Sequence, residues 1–355
     1  MYIDSLIIYA CVFIFATFLS RIAKGRFWLL SVMFLTLSFG FREFIGNDWE
    51  QYVNIFKVIS FYKTAITIEP GAYLINYIAG QLSLEYGYFI VFFIYTFLTL
   101  IFTYKALEYY NCQSWFVPAV FLTGFLFFSN NAIRQALAVS FLLYSSRYVY
   151  TCRLKFVFLM VLSTCLFHYS SLLSILLIFV PQKTHTRTVY FLALLVSFVI
   201  NKLSVVKYIL LSVVSFVPYY GSIYLERVEN FTSQEKGVGL VVIFYYMIVG
   251  FCIFHKDKLR IDTFNIYIYG SLLFLAGIQI EMWERIMIPY FYFIVVFLSA
   301  LVSRTISRNW YSFFLTSLLL VALSFLVCTQ ILYDTNKNKV SPFYHLLLNK
   351  AKDEP

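Results

Sequence analysis

Three arginines stand where a charge is costly. Arg42 follows directly on an apolar run. Arg134 sits in Asn130–Asn131–Ala132–Ile133–Arg134–Gln135 at the head of another, and Arg285 ends Glu281–Met282–Trp283–Glu284–Arg285 between two more. A charged side chain at the centre of a bilayer costs about 2.5–3.5 kcal/mol on insertion scales, so each needs a partner or a task. One task is anion binding, because a guanidinium grips phosphate oxygens through two parallel N–H bonds and stays charged at physiological pH. The structural alternative is snorkelling, with Glu43, Glu281 or Glu284 as the paired carboxylate.

Two residues compete as proton acceptors. His168, in Phe167–His168–Tyr169, is the one histidine of four that falls at the outer edge of the apolar runs; His185 and His255 sit among basic loops and His345 in the tail. An imidazole near its ordinary pKa of about 6.5 suits a general base, and the reading here favours His168; a packed, hydrogen-bonded histidine is the alternative. Asp48, in Gly46–Asn47–Asp48–Trp49, is the second candidate, with helix N-capping before Trp49–Lys57 as its structural alternative. No histidine pair and no Asp-x-Asp triplet marks a metal site, and no cofactor motif is present.

The elements that must carry these residues are membrane helices. Of 355 residues, 61% are hydrophobic and only 12% are charged, too few to cover a soluble domain. The apolar residues run in blocks, several approaching the roughly 20 residues that a bilayer core requires. Twelve blocks are expected, at about 5–19, 28–41, 87–104, 115–128, 132–146, 154–167, 170–180, 188–201, 238–254, 264–280, 286–302 and 310–331. The expected fold is therefore all-α and integral to the membrane, one polytopic domain over 1–332 and a short tail over 333–355. The first block is read as a retained helix, since a second follows it with no small-residue cleavage site between. Six cysteines, at 11, 112, 152, 165, 252 and 328, lack metal-type spacing and read as small core residues.

Net charge is +10, but the basic residues are dispersed and form no face with interleaved aromatics, so nucleic acid is excluded as a partner. Topology and anionic lipid account for the charge instead. With the N-terminus outside, fourteen lysines and arginines fall in six short cytoplasmic loops, from Arg21–Arg26 to Arg304–Arg308. Two long segments, 42–86 and 202–237, then lie outside. Gly71–Leu82 within the first is too short to span and is expected along the interface as an amphipathic helix.

Arg42-x-x-x-Gly46-x-Asp48-x-x-x-Tyr52, Glu69-Pro70-x-x-Tyr73, Asn131-x-x-Arg134-Gln135-x-x-Ala138, Phe167-His168-x-Ser170-Ser171 and Glu284-Arg285 occur in this order. Over residues 40–300 that series resembles the EpsG-like branch of the Wzy-type polymerases of bacterial O-antigens and exopolysaccharides. The resemblance implies a GT-C-like fold of about twelve transmembrane helices in the inner membrane, with its site facing the periplasm. It implies a glycosyltransferase whose donor is a glycan on undecaprenyl pyrophosphate and whose acceptor is a hydroxyl of a second lipid-linked repeat unit. Arg42, Arg134 and Arg285 would clamp the pyrophosphate without a metal; Gln135, Glu69 and Glu284 would complete the binding set. A chain-length regulator is a partner compatible with this chemistry. Rival readings are a lipid-linked oligosaccharide flippase, an O-antigen ligase and a scaffold or sensor. A transporter should carry inverted repeats or broken helices in matching halves, and neither is evident.

Overall fold

A bilayer core offers backbone amides no water, so the apolar runs can satisfy them only by internal helical bonding. In a computed structural model of the protein, the described residues are 2–22, 28–62, 68–214, 240–258, 260–305, 310–333, 340–341 and 343–345. Most of the expected loop 202–237, from residue 215 onward, lies outside them. The first helices are α1 (Ile3–Ile22), α2 (Trp28–Gly40), α3 (Trp49–Ser60), α4 (Pro70–Leu82) and α5 (Gly87–Tyr109). Next come α6 (Phe116–Leu122), α7 (Phe125–Asn131), α8 (Ile133–Ser145) and α9 (Arg153–Leu166), then a 3-10 helix over Tyr169–Phe179. The chain continues through α10 (Arg187–Lys202), α11 (Val205–Val214), α12 (Leu240–Phe254), α13 (Ile261–Ala276), α14 (Glu281–Phe291), α15 (Ile294–Thr305) and α16 (Trp310–Tyr333).

The described chain packs as two compact units, Met1–Ile175 with Leu298–Pro355, and Leu176–Phe297. The expectation of one polytopic domain over 1–332 rests on the absence of a linker in the sequence. Both junctions fall inside helical segments, the 3-10 helix and α15, so no linker composition announces them.

In the first unit α5 is the central post, with α2, α4 and α8 packed against it. Its 23 residues make it long enough to span, and its buried side presents Phe92, Tyr95, Thr96, Thr99 and Thr103. In the second unit α13 packs against α10, α12 and α14, and α10 also packs against α12. Asn265 of α13 ties the preceding connection to this unit, donating to Pro181 O at 2.7 Å and accepting from the Tyr190 hydroxyl at 2.9 Å.

Apolar residues also face outward in rows. Ile7, Ile14 and Phe18 of α1 are exposed, as are Leu192, Leu195, Val196 and Val199 of α10. Such faces are stable against lipid tails and not against water. Among the described residues, three helical windows suffice by length and composition to cross a membrane, Ile3–Ser20, Gly87–Tyr109 and Arg285–Ser303, with several shorter apolar helices beside them.

Two expected spans take a different form. The block 115–128 is not one helix: α6 and α7 have seven residues each and are separated at Gly124, whose φ is +71°. No atom would obstruct a side chain there, so the glycine is required by its left-handed backbone alone. The block 170–180 winds as a 3-10 helix, which rises about 2.0 Å per residue instead of about 1.5 Å and so carries eleven residues farther across a layer.

The expected amphipathic segment is α4. Its inner face is small and polar, with Gly71, Ala72, Asn76, Ala79 and Gly80 buried, while Leu74, Tyr77, Ile78 and Leu82 are exposed. At the far end of the chain, Tyr344–His345 pairs antiparallel with Arg42–Glu43. Val340 O accepts from the Tyr9 hydroxyl at 3.0 Å, and the Phe343 N–H donates to Ser5 Oγ at 2.9 Å.

Candidate functional site

Helix ends of the first unit bring the charged motifs together. Arg134 stands at the second position of α8, beyond a break at Ala132 that separates α8 from α7. Its Nη1 donates to Glu69 Oε2 in an ion pair, and its guanidinium lies 5.9 Å from the centre of the Tyr52 ring. Glu69 directly precedes α4 and is only 2% exposed. Its other oxygen, Oε1, accepts the Tyr169 N–H at 3.2 Å. One carboxylate therefore ties the start of α8 to the turn that follows α9.

Gly71 makes that placement possible. A Cβ at this position would lie 2.3 Å from the carbonyl oxygen of Leu166 and 2.6 Å from its Cα. Backbone cannot yield that space, so only glycine lets the first turn of α4 rest on the last turn of α9 and carry Glu69 to Tyr169.

His168 is half-buried in the same turn. Its Nδ1 lies 2.7 Å from Ser170 Oγ and accepts the Ser170 N–H at 3.2 Å. Burial lowers its pKa below the ordinary 6.5; Glu69 pushes it back up and Arg134 adds to the lowering. The ring is thus neutral at pH 7. Nδ1 is thus engaged within the turn.

Arg42 follows α2 and is fully buried. Nη1 donates to Phe39 O at 2.6 Å and Nη2 to Asn130 O at 3.0 Å, while the guanidinium lies 4.7 Å from the Phe92 ring centre. Burial lowers its pKa to about 10, so it remains a cation at neutral pH. These bonds join the end of α2 to the end of α7, and Nη1 also reaches Thr96 Oγ1 of α5 at 3.5 Å. Among the described residues no carboxylate forms an ion pair with it.

The segment after Arg42 turns sharply, with Phe44 at φ +54° and Gly46 at φ +96°. A Cβ on Gly46 would meet Asn130 O at 2.6 Å, so this glycine allows the segment to lie against the α7–α8 break. There the Asp48 N–H donates to Asn131 Oδ1 at 3.2 Å. Asp48 is half-buried and its carboxylate does not cap α3. Burial raises the Tyr52 pKa to about 12; the charge of Arg134 opposes the rise, and those of Asp48 and Glu69 add to it.

Gln135 is buried on α8 beside Arg134. Arg285 is exposed on α14 and belongs to the second unit; the side chain of its neighbour Glu284 lies outside the described residues. The structure therefore assembles Arg42, Asp48, Glu69, Arg134, Gln135 and His168 within one unit.

It adds Asn130, Tyr95 and Tyr52. Tyr52 had a signal in its spacing from Asp48. Tyr95 had none, being one tyrosine among 30 in an apolar block. Several buried polar atoms here have no protein partner: Arg42 Nε, Arg134 Nε, both side-chain polar atoms of Asn130, Tyr95 Oη and Trp49 Nε1. Native interiors leave few such atoms, so each carries unmet hydrogen-bonding capacity. Among the described residues, no three His, Cys, Asp or Glu side chains group as metal ligands.

Apolar helical architecture and a buried, mixed-charge constellation at helix ends define a helical membrane protein with a polar site. More particularly, the chain belongs to the EpsG family, whose sequence model matches residues 25–345. The match extends beyond 40–300 in both directions and takes in the pairing strand at Tyr344–His345. Membership places the protein in polysaccharide biosynthesis, among glycosyltransferase-like polymerases associated with exopolysaccharide. No curated protein and no solved structure matches the chain.

Proposed function

We propose that the protein is a bacterial polysaccharide polymerase of the inner membrane, with about twelve spans, a GT-C-like arrangement and its site on the periplasmic face. The donor is a glycan on undecaprenyl pyrophosphate, and the acceptor is a hydroxyl of another lipid-linked repeat unit. The observation that carries this reading is the Arg134–Glu69 pair. A guanidinium is held in fixed orientation by a buried carboxylate, with Nε unpartnered and with neutral His168, Tyr52 and Asn130 nearby.

A diphosphate leaving group gains negative charge as the glycosidic bond breaks, and preorganised cations and donors stabilise that charge. Arg134 supplies the guanidinium and Gln135 a neighbouring amide. Glu69 aims Arg134, and Arg42 secures the α2 and α7 ends that frame the site. The Asp48 carboxylate takes the proton of the attacking hydroxyl. Arg285 and Glu284 belong to the proposal on the family resemblance alone, as does a chain-length regulator as partner. Charge stabilisation by arginine makes the reaction metal-independent.

Purified protein in proteoliposomes, given an undecaprenyl-diphosphate-linked repeat unit, should yield a ladder of longer products and free undecaprenyl diphosphate. A strain lacking the gene should keep single repeat units on its surface glycan. Complete loss of that glycan with no in vitro elongation would identify a flippase instead.

A further inference from the structure

The turn at His168 fixes which nitrogen of the ring carries the proton. A backbone amide can only donate, so the Ser170 N–H at 3.2 Å requires an unprotonated Nδ1. The Ser170 hydroxyl, 2.7 Å from the same nitrogen, then donates as well. In a neutral imidazole the proton must sit on Nε2. The turn itself is tied from both sides: the Tyr169 N–H to Glu69, the Ser171 N–H to His168 O at 3.0 Å, and the Ser163 hydroxyl to Ser171 Oγ at 3.0 Å. The ring thus offers a ligand an N–H and no lone pair.

We propose that His168 serves the transfer as a hydrogen-bond donor through Nε2–H, directed at the diphosphate of the departing lipid, with Ser170 as the positioning residue that sets the tautomer. This rests on the polymerase reading. As the acceptor oxygen bonds to the anomeric carbon, the carbon–oxygen bond to the diphosphate breaks and its electron pair stays on the diphosphate. The hydroxyl proton goes to the Asp48 carboxylate. His168 keeps its proton throughout and strengthens one hydrogen bond as charge develops. Its lowered pKa agrees with this role, since a neutral ring retains the fixed tautomer.

Glutamine and asparagine separate donor from base. The amide nitrogen of Gln falls near the place of Nε2, and that of Asn near Nδ1. With purified protein in proteoliposomes and undecaprenyl-diphosphate-linked repeat units, His168→Gln should stay within about tenfold of wild-type kcat. His168→Asn and His168→Ala should lose about 10²–10³-fold, the usual loss for a transition-state donor. Nitrogen chemical shifts of labelled wild-type protein should show the proton on Nε2, and still on Nε2 in Ser170→Ala, whose backbone N–H keeps its bond to Nδ1, with a partial loss of rate because the ring has lost its hydroxyl tie. A Gln variant as inactive as Ala, or a spectrum with the proton on Nδ1, overturns the proposal. Wild-type protein that elongates no lipid-diphosphate glycan refutes the polymerase reading and removes the diphosphate as recipient of the bond; the nitrogen spectrum decides the tautomer independently.

Discussion

Glu69 and Arg134 stand 65 positions apart in the sequence and meet as an ion pair in which the carboxylate is 2% exposed. A buried pair contributes little net stability over an apolar replacement, but breaking it by removing one partner costs about 3–5 kcal/mol, because the other charge stays buried alone. Arg134→Ala should therefore lower thermal stability together with activity. Arg134→Lys keeps a charge for Glu69 and loses the planar fork, so the protein should remain folded while chain growth falls about 100-fold. Full polymerisation by the purified Lys variant would reduce Arg134 to a structural counter-charge.

Arg42 calls for a different outcome. Its two terminal nitrogens hold the carbonyls of Phe39 and Asn130, each of which costs about 1–3 kcal/mol to leave buried and unsatisfied. Arg42→Ala and Arg42→Lys should both lower the amount of folded protein extracted from membranes, and activity should fall in proportion. Normal yield with activity abolished would place Arg42 on the substrate.

The two glycines Gly71 and Gly124 should behave oppositely. Gly71→Ala puts a methyl 2.3 Å from Leu166 O, displaces α4 from α9 and carries Glu69 away from Tyr169. Activity should be lost even at temperatures where the protein is folded. Gly124→Ala meets nothing within 4 Å and costs only its left-handed backbone, about 1–2 kcal/mol. It should lower the melting temperature and leave turnover near wild type.

His168 gives a signed pH dependence. Its folded pKa lies below 6.5, so the folded protein binds fewer protons there than the unfolded chain. Stability from this group is present above pH 6.5 and is lost as pH falls through the folded value. Melting curves between pH 5 and 7.5 should slope less steeply with pH for His168→Gln than for wild type. Parallel slopes would mean that the ring is not desolvated.

Topology is open to a direct test. Gln51 is exposed on α3, between Arg42 and Glu69. In an otherwise cysteine-free protein, Gln51→Cys should react with a membrane-impermeant thiol reagent in intact spheroplasts. Protection until lysis would put the whole constellation in the cytoplasm.

Much of this was legible in the chain. Long apolar runs set the helices, and Arg134, His168 and Asp48 stood out because each is a polar group at the edge of such a run. Other features depend on what lies across from a residue. Nothing local to Gly71 shows that Leu166 backbone will press on it, and nothing local to Glu69 shows that it will be buried. Arg42 looked like a phosphate ligand because its type permits that; its carbonyl partners come from Phe39 and from Asn130, 88 positions away. The break at Gly124 was hidden because hydropathy does not register one left-handed residue. The capping role open to Asp48 was plausible by position, but its carboxylate does not bond to the first turn of α3.

The pairing at the chain's two ends fixes an arithmetic property of the membrane path. Tyr2 N–H donates to Leu332 O at 2.9 Å, and Tyr344–His345 runs beside Arg42–Glu43. Residues bonded to one another share a side of the bilayer, so the chain crosses it an even number of times between Tyr2 and Leu332. Any count of spans, twelve or another, must respect that parity. A reporter enzyme fused just beyond His345 therefore reads out the compartment of the Arg42 segment, and so of the site, without touching a residue within it.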